Sequence, residues 1–345
     1  VQTEERRGSA VAPVIALLLL APIVGEFLFG ATRISAGFVL VMQVGTWGCA
    51  ALLIRHVARG RGWGRMMLLA LALAVAEECV IQQTSLAPLI GAPPDHVYSR
   101  AYGVNWVYLL WALGYESVWI VLLPIQLTEL IFPARREERW IGPVGAAMAG
   151  VVFVLASLAA WYSWTQVLVP KLFPQWAYSP PLSTVLVALT VIAVLIAAAL
   201  VPAPERRAPT AARVPGPWAV GLLAFAFGLG WCGLVLVAYG VSPGLPPAAP
   251  MAVGLAMAGA ALGLLRRWGG SVQWRDSHRC ALVIGALVGS MAVGFAVLKL
   301  GAAPPVDVIG KLVLNAVAVL LLVLLARRTA ARARNITDAP TPPAC

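Results

Sequence analysis

The stretch MMLLALALAVAEECVIQQTSLAPLI, residues 66–90, decides the reading of this chain. Residues 66–76 are apolar without a break, and Glu77 and Glu78 follow side by side in the middle of the run. A carboxylate at the centre of a bilayer costs about 2.5–3.5 kcal/mol on insertion scales, so the pair marks a functional site. Two adjacent carboxylates in low dielectric cannot both ionise cheaply, which points to a proton-holding site.

The rest of the chain supports a membrane setting. Of 345 residues, 61% are hydrophobic and only 11% charged; in a soluble domain about a quarter are charged. The apolar residues come in blocks of about 20, enough for a helix to cross a ~30 Å hydrocarbon core. The strict apolar–polar alternation of a transmembrane β-barrel is absent. The predicted fold is all-α, a polytopic transmembrane helix bundle of about ten spans. They fall at 10–30, 36–54, 66–86, 105–131, 143–164, 183–202, 218–240, 248–265, 280–299 and 306–326.

The formal charge of +11 does not point to nucleic acid, because the basic residues sit at span ends rather than in a soluble basic domain. Arg6 and Arg7 precede the first span. Further arginines follow the second, fourth, sixth, eighth and tenth, so that 20 of 25 Lys and Arg lie on one face. The positive-inside rule makes that face cytoplasmic, with both termini inside and the protein in the cell membrane, a bacterial inner membrane. The opposite connections are nearly uncharged. Two are long and aromatic, with Tyr98, Tyr102, Trp106, Trp161, Trp164, Trp176 and Tyr178 placed as an interfacial belt. Pro22 and Pro124 are candidate kinks in the first and fourth spans.

Polar residues at membrane depth concentrate early: Glu26, Gln43, Glu77, Glu78, Gln82, Gln83, Asn105 and Glu116. This suggests a four-span half at 1–140 bearing an intramembrane carboxylate cluster, a six-span supporting half at 141–328, and a disordered tail at 329–345. A rise of 1.5 Å per residue puts Glu77 about 17 Å in from one face and Glu116 about 17 Å in from the other, both near the midplane. Glu77, Glu78 and Glu116 are therefore the candidate catalytic residues. Glu78 and Gln82, at i and i+4, share a face, and Asn105 and Glu116 align within about 20°. Gln82, Asn105, Gln43 and Glu26 are candidate substrate-binding residues. So is the stripe Tyr108, Trp111, Tyr115 and Trp119, an aromatic wall beside an acid or a packing surface. Outside the cluster, Glu26 pairs with Arg33 in the simplest reading, Asp307 with Lys311 at i,i+4, and Glu129 is solvated. The histidines are His56, His96 and His278, too few and too scattered for a metal set, and no cofactor motif is present.

The Glu77-Glu78 pair resembles the first motif of the CAAX-protease-like glutamic intramembrane proteases. In that family a Glu-Glu-x-x-x-Arg helix activates water and histidines on later helices assist. Here Gln82 stands where the motif has arginine, and Glu116 is the comparable polar residue on the next helix. The stretch GVNWVYLLWALGYESVWIVLLPIQLTELIFP is also similar to actinobacterial membrane proteins. The resemblance implies hydrolysis inside the membrane.

Three functions remain open. One is an enzyme using carboxylate acid–base chemistry on a lipid-soluble, isoprenoid-like or peptide substrate, by hydrolysis or acid-initiated cyclisation. In the cyclisation the aromatic stripe would stabilise a cation. Another is a proton-coupled transporter or exporter of a small molecule. The last is a non-catalytic membrane subunit. The bilayer is the one certain partner on this reading, and nothing sets an oligomeric state.

Overall fold

The computed structural model describes residues 11–60, 62–87, 98–172, 174, 179–201, 210–241 and 244–337. The basic residues Arg6, Arg7, Arg61, Arg206 and Arg207, together with His96, Trp176, Tyr178 and residues 338–345, lie outside them.

In chain order the long helices are α1 (Val11–Leu28), α2 (Ile34–Ala58), α3 (63–81), α4 (Trp106–Ile131), α5 (Pro143–Leu172), α6 (Leu182–Leu200), α7 (Pro217–Val241), α8 (Ala248–Gly269), α9 (Asp276–Leu300) and α10 (Pro305–Thr337). Among the described residues, nine of these are long and apolar enough to cross a membrane. The exception is α3, set apart by Arg65, Glu77 and Glu78. The only β-structure among the described residues, apart from a single bridge at Thr210 and Ser271, is a two-residue hairpin, β1 (Arg100–Ala101) and β2 (Val104–Asn105). The molecule is a multi-pass membrane protein.

The helices form two layers. In α1, α2, α4 and α9, 44–61% of the spanning residues are buried, against 11–22% in α5, α6, α7, α8 and α10. The outer helices show Val151, Leu155, Val187, Val194, Leu312 and Leu320 to the surroundings, the dress of helices that face lipid. Residues 1–140 and 141–328 interlock, because α6 packs along α3 and α9 packs among α1, α4 and α7. The α7–α9 crossing depends on small residues. A Cβ at Gly285 would lie 2.0 Å from the Gly221 carbonyl oxygen. In lipid such close backbone packing replaces the hydrophobic drive between helices.

The basic ends meet at one end of the bundle. Arg65 at the start of α3 bonds the Val201 carbonyl just past α6. Arg136 pairs with Asp276 at the start of α9 at 2.9 Å, and Arg332 near the end of α10 reaches the Leu130 carbonyl. Glu129, expected to be solvated, instead pairs with Arg55 at 3.4 Å, with side-chain exposures of 13% and 2%. The Arg55 guanidinium lies 3.3 Å from the Trp140 ring centroid and donates to the Arg136 and Glu138 carbonyls. The folded 132–142 connection thus closes over a position that helix depth alone would leave wet.

Two other pairings differ from expectation. Asp307 does not pair with Lys311. It accepts from the Ser35 N–H at 2.8 Å and the Ser35 hydroxyl at 3.1 Å. Lys311, 1% exposed, donates to the Leu28 carbonyl and, at 2.9 Å, to the Phe29 carbonyl. Glu26 likewise bonds Thr32 at 2.7 Å, while Arg33 reaches the Gly301 carbonyl. Free backbone carbonyls take the cations instead, Leu28 and Phe29 at the end of α1 for Lys311 and Gly301 at the end of α9 for Arg33. Finally, α10 runs on through 329–337, part of the expected disordered tail. Its alanines and arginines are strong helix formers that extend a helix already nucleated.

Candidate functional site

Each of the first four helices changes character at the depth of the polar residues. Wide π-turns replace α-turns over Ile23–Leu28, Val44–Gly48, Glu77–Ile81 and Glu116–Leu122. Glu26, Glu77, Glu78 and Glu116 lie within three of these segments, and Gln43 is the residue before the fourth. Two further π-segments, Tyr162–Leu168 and Val237–Val241, carry no carboxylate. Proline explains two of the four. Pro22 ends the α-helical part of α1 and Pro124 follows the π-segment of α4, and each withholds the N–H that an α-turn would use. The Leu18 carbonyl, four residues before Pro22, faces Gly48, where a Cβ would approach it to 2.4 Å. π-Turns inside α-helices recur at functional sites.

The third helix ends at Ile81, five residues short of the expected end. The Glu77 carbonyl takes the N–H groups of Gln82 and Gln83, and Gln83 adopts a left-handed φ of 58°. This φ is uncommon for a residue with a side chain. It turns the chain back so that Thr84 and Ser85 reach the Glu78 carboxylate, donating to Oε2 at 2.7 and 2.5 Å. Gln82 is the capping residue of the helix, at the start of the turn rather than within the span.

The Glu78 and Glu116 carboxyls come within hydrogen-bonding reach of each other. Two carboxyl groups can share a hydrogen bond only if one carries a proton. Glu77 interacts electrostatically with Glu78 and Glu26, and Glu116 with all three. Among the described residues no Lys or Arg forms an ion pair with any of the four. Glu77, Glu78 and Glu116 are buried and Glu26 is half-buried. Glu26 belongs to a short chain in which Gln43 donates to Thr32 at 2.8 Å and Thr32 donates to Glu26. Both Glu77 oxygens, Glu116 Oε2, Gln43 Oε1 and the indole N–H groups of Trp111 and Trp119 have no hydrogen-bond partner. No group of His, Cys, Asp and Glu among the described residues is arranged to hold a metal ion.

The aromatic stripe runs beside the cluster as a stacked column. Trp111 and Tyr115 stack with centroids 4.9 Å apart, Tyr115 and Trp119 at 5.3 Å, with interplanar angles of 17° and 7°. Tyr108 and Phe29 pack against it. The Tyr115 hydroxyl donates to the Gly25 carbonyl at 2.5 Å, tying the column to the π-segment of Glu26. Tyr108 interacts electrostatically with Glu78, Glu116 and Glu26. Stacking occupies both faces of Tyr115.

Asn105 stands apart. It lies in β2, its side chain donating to the Ala87 carbonyl at 3.0 Å and accepting from Arg100. Arg100 also bonds the Leu86 carbonyl. Asn105 therefore clamps the hairpin over the 82–87 turn, and its expected alignment with Glu116 does not apply because it precedes the helix. Sequence reading missed Thr32, Thr84 and Ser85, which hold the carboxylates. The available signal was the cluster of small polar residues just after the glutamate pair, which marks a turn rather than a continuing span. No protein-family model, curated protein or solved structure matches the chain.

Proposed function

We propose that this protein is a ten-span membrane enzyme, with both termini in the cytoplasm, whose Glu78–Glu116 pair performs acid–base chemistry on a lipid-soluble substrate. The observation that carries the reading is the approach of the Glu78 and Glu116 carboxyls to within hydrogen-bonding reach, with Thr84 and Ser85 donating to Glu78 and no ion pair to either among the described residues. Glu78, which accepts the two hydroxyls, then serves as the acceptor of the pair and Glu116 as the donor. Such a pair holds a proton donor and a proton acceptor at one point, the requirement for general acid–base catalysis.

Hydrolysis follows from these roles. Glu78 takes a proton from water as the water oxygen attacks the substrate carbonyl carbon. Glu116 gives its proton to the leaving group as the bond to that carbon breaks. The proton on Glu78 then returns to Glu116 through their hydrogen bond, restoring the starting state. The resemblance of Glu77-Glu78 to a glutamic-protease motif agrees with this. Acid-initiated cyclisation is less well supported, because Tyr115, stacked on both faces, offers no π-face to a cation.

A second reading, a proton-coupled transporter, draws support from the π-turns in four neighbouring helices. Interrupted helices at the midplane characterise transporter binding sites.

The test compares wild type with Glu78→Gln and Glu116→Gln, each checked for folding. Hydrolysis of isoprenoid esters and of peptides is measured beside proton-driven uptake into liposomes. The enzyme reading expects hydrolysis to fall by on the order of 100-fold or more in each variant. Wild-type hydrolysis in both would refute it, and loss of uptake alone would establish the transporter.

A further inference from the structure

We infer that Glu77 is the counter-ion for the head of a lipophilic primary ammonium ligand, which makes the substrate class of this site a long-chain ester or amide bearing a primary ammonium rather than a neutral isoprenoid. The inference rests on the acid–base reading for the work of Glu78 and Glu116 but assigns Glu77 a separate role.

The four carboxylates differ in how they are satisfied. Glu26 accepts from Thr32, and Glu78 accepts from Thr84 and Ser85. Glu116 is engaged by Glu78. Glu77 is 1% exposed, and neither of its oxygens has a partner. A buried carboxylate without a partner is among the most expensive groups a protein can hold. Its electrostatic neighbours are the carboxylates Glu78 and Glu26, and no hydrogen bond from the protein reaches it.

What would satisfy it follows from counting. Both Glu77 oxygens are unpartnered acceptors in a cluster of carboxylates. A primary ammonium has three N–H donors and no acceptor. It also supplies the positive charge that the cluster lacks. An anion would be repelled, and a neutral hydrocarbon would leave both atoms unsatisfied. A ligand for a site at membrane depth must also partition into lipid, which an alkyl chain provides.

The experiment uses the full-length protein in nanodiscs of zwitterionic lipid. Saturable binding of radiolabelled dodecylammonium is measured, with dodecanol and dodecyltrimethylammonium as competitors. Dodecylammonium is expected to bind wild type. Dodecanol, with the same chain and no charge, should not compete, and the trimethyl compound, charged but without donors, should compete less well. Glu77→Gln should weaken binding at least about tenfold, the scale of a lost charge-assisted hydrogen bond. Glu77→Asp, which keeps the charge, should recover part of it and exclude misfolding as the cause. Equal competition by dodecanol, or unchanged affinity in Glu77→Gln, overturns the proposal and leaves Glu77 to bound water. Glu78→Gln separates the two claims. If it leaves hydrolysis intact while Glu77→Gln still abolishes amine binding, the acid–base reading fails and the binding site stands. If Glu78→Gln abolishes hydrolysis while Glu77→Gln binds amine normally, the reverse holds.

Discussion

Arg55 shows what a single side chain does at the basic end of the bundle. Its guanidinium meets Glu129, two backbone carbonyls and the Trp140 ring, with almost no access to solvent. Arg55→Ala is expected to destabilise the protein by about 3–5 kcal/mol, because it leaves Glu129 buried without its cation. Thermal unfolding in detergent measures this. The double variant Arg55→Ala, Glu129→Ala should be more stable than Arg55→Ala alone. The carboxylates of the site follow the same physics with a different solution. Among the described residues they form no ion pair, and Glu26 and Glu78 take hydroxyl donors instead. That Glu77, Glu78 and Glu116 are exceptional is legible in sequence, since charge in an apolar run is conspicuous. Which of them is partnered is not, because Thr84 and Ser85 act only after the chain reverses at Gln83.

At the scale of elements, the π-turns set the site. They widen four neighbouring helices at one level and free backbone carbonyls there. Lys311 of α10 closes the end of the first, donating to the Leu28 and Phe29 carbonyls. Lys311→Ala should therefore lower stability by about 1–3 kcal/mol for each carbonyl left unsatisfied. Differential scanning fluorimetry checks the loss, and hydrogen exchange at Phe29–Ala31 should rise more than exchange in α9. The existence and order of the helices were legible from apolar blocks of membrane-spanning length. Their inner boundaries were not. The expected continuation of α3 to residue 86 assumed α-geometry throughout, and a π-turn with a positive φ ends it at Ile81.

At the scale of the molecule, the packing of α9 into the centre joins the two sections of the chain. Gly285→Leu should force α7 from α9 and either prevent folding or lower the unfolding temperature well beyond a surface control such as Leu312→Ala. Fluorescence-detected size exclusion before and after heating gives the comparison. The orientation is tested by single cysteines at exposed positions on opposite ends. Glu137→Cys, at the arginine-rich end, should react with an impermeant maleimide only after the membrane is opened. Tyr102→Cys, 91% exposed in the hairpin between β1 and β2, should react in intact cells. The opposite pattern would invert the topology.

The sequence by itself determined the class of molecule, a multi-pass membrane protein, and made its carboxylates conspicuous. Hydrophobic blocks and arginine placement are local properties, read without knowing which helix touches which. Only the tertiary structure decided that Glu78 meets Glu116 while Glu77 is left without a partner. It alone moved Asn105 to a loop clamp, separated Asp307 from Lys311, and buried Glu129 against Arg55. Each of these depends on competition for donors among groups far apart in the chain. Backbone carbonyls released by π-turns and prolines enter that competition, and the strength of their claim on a side chain exists only once the helices are packed.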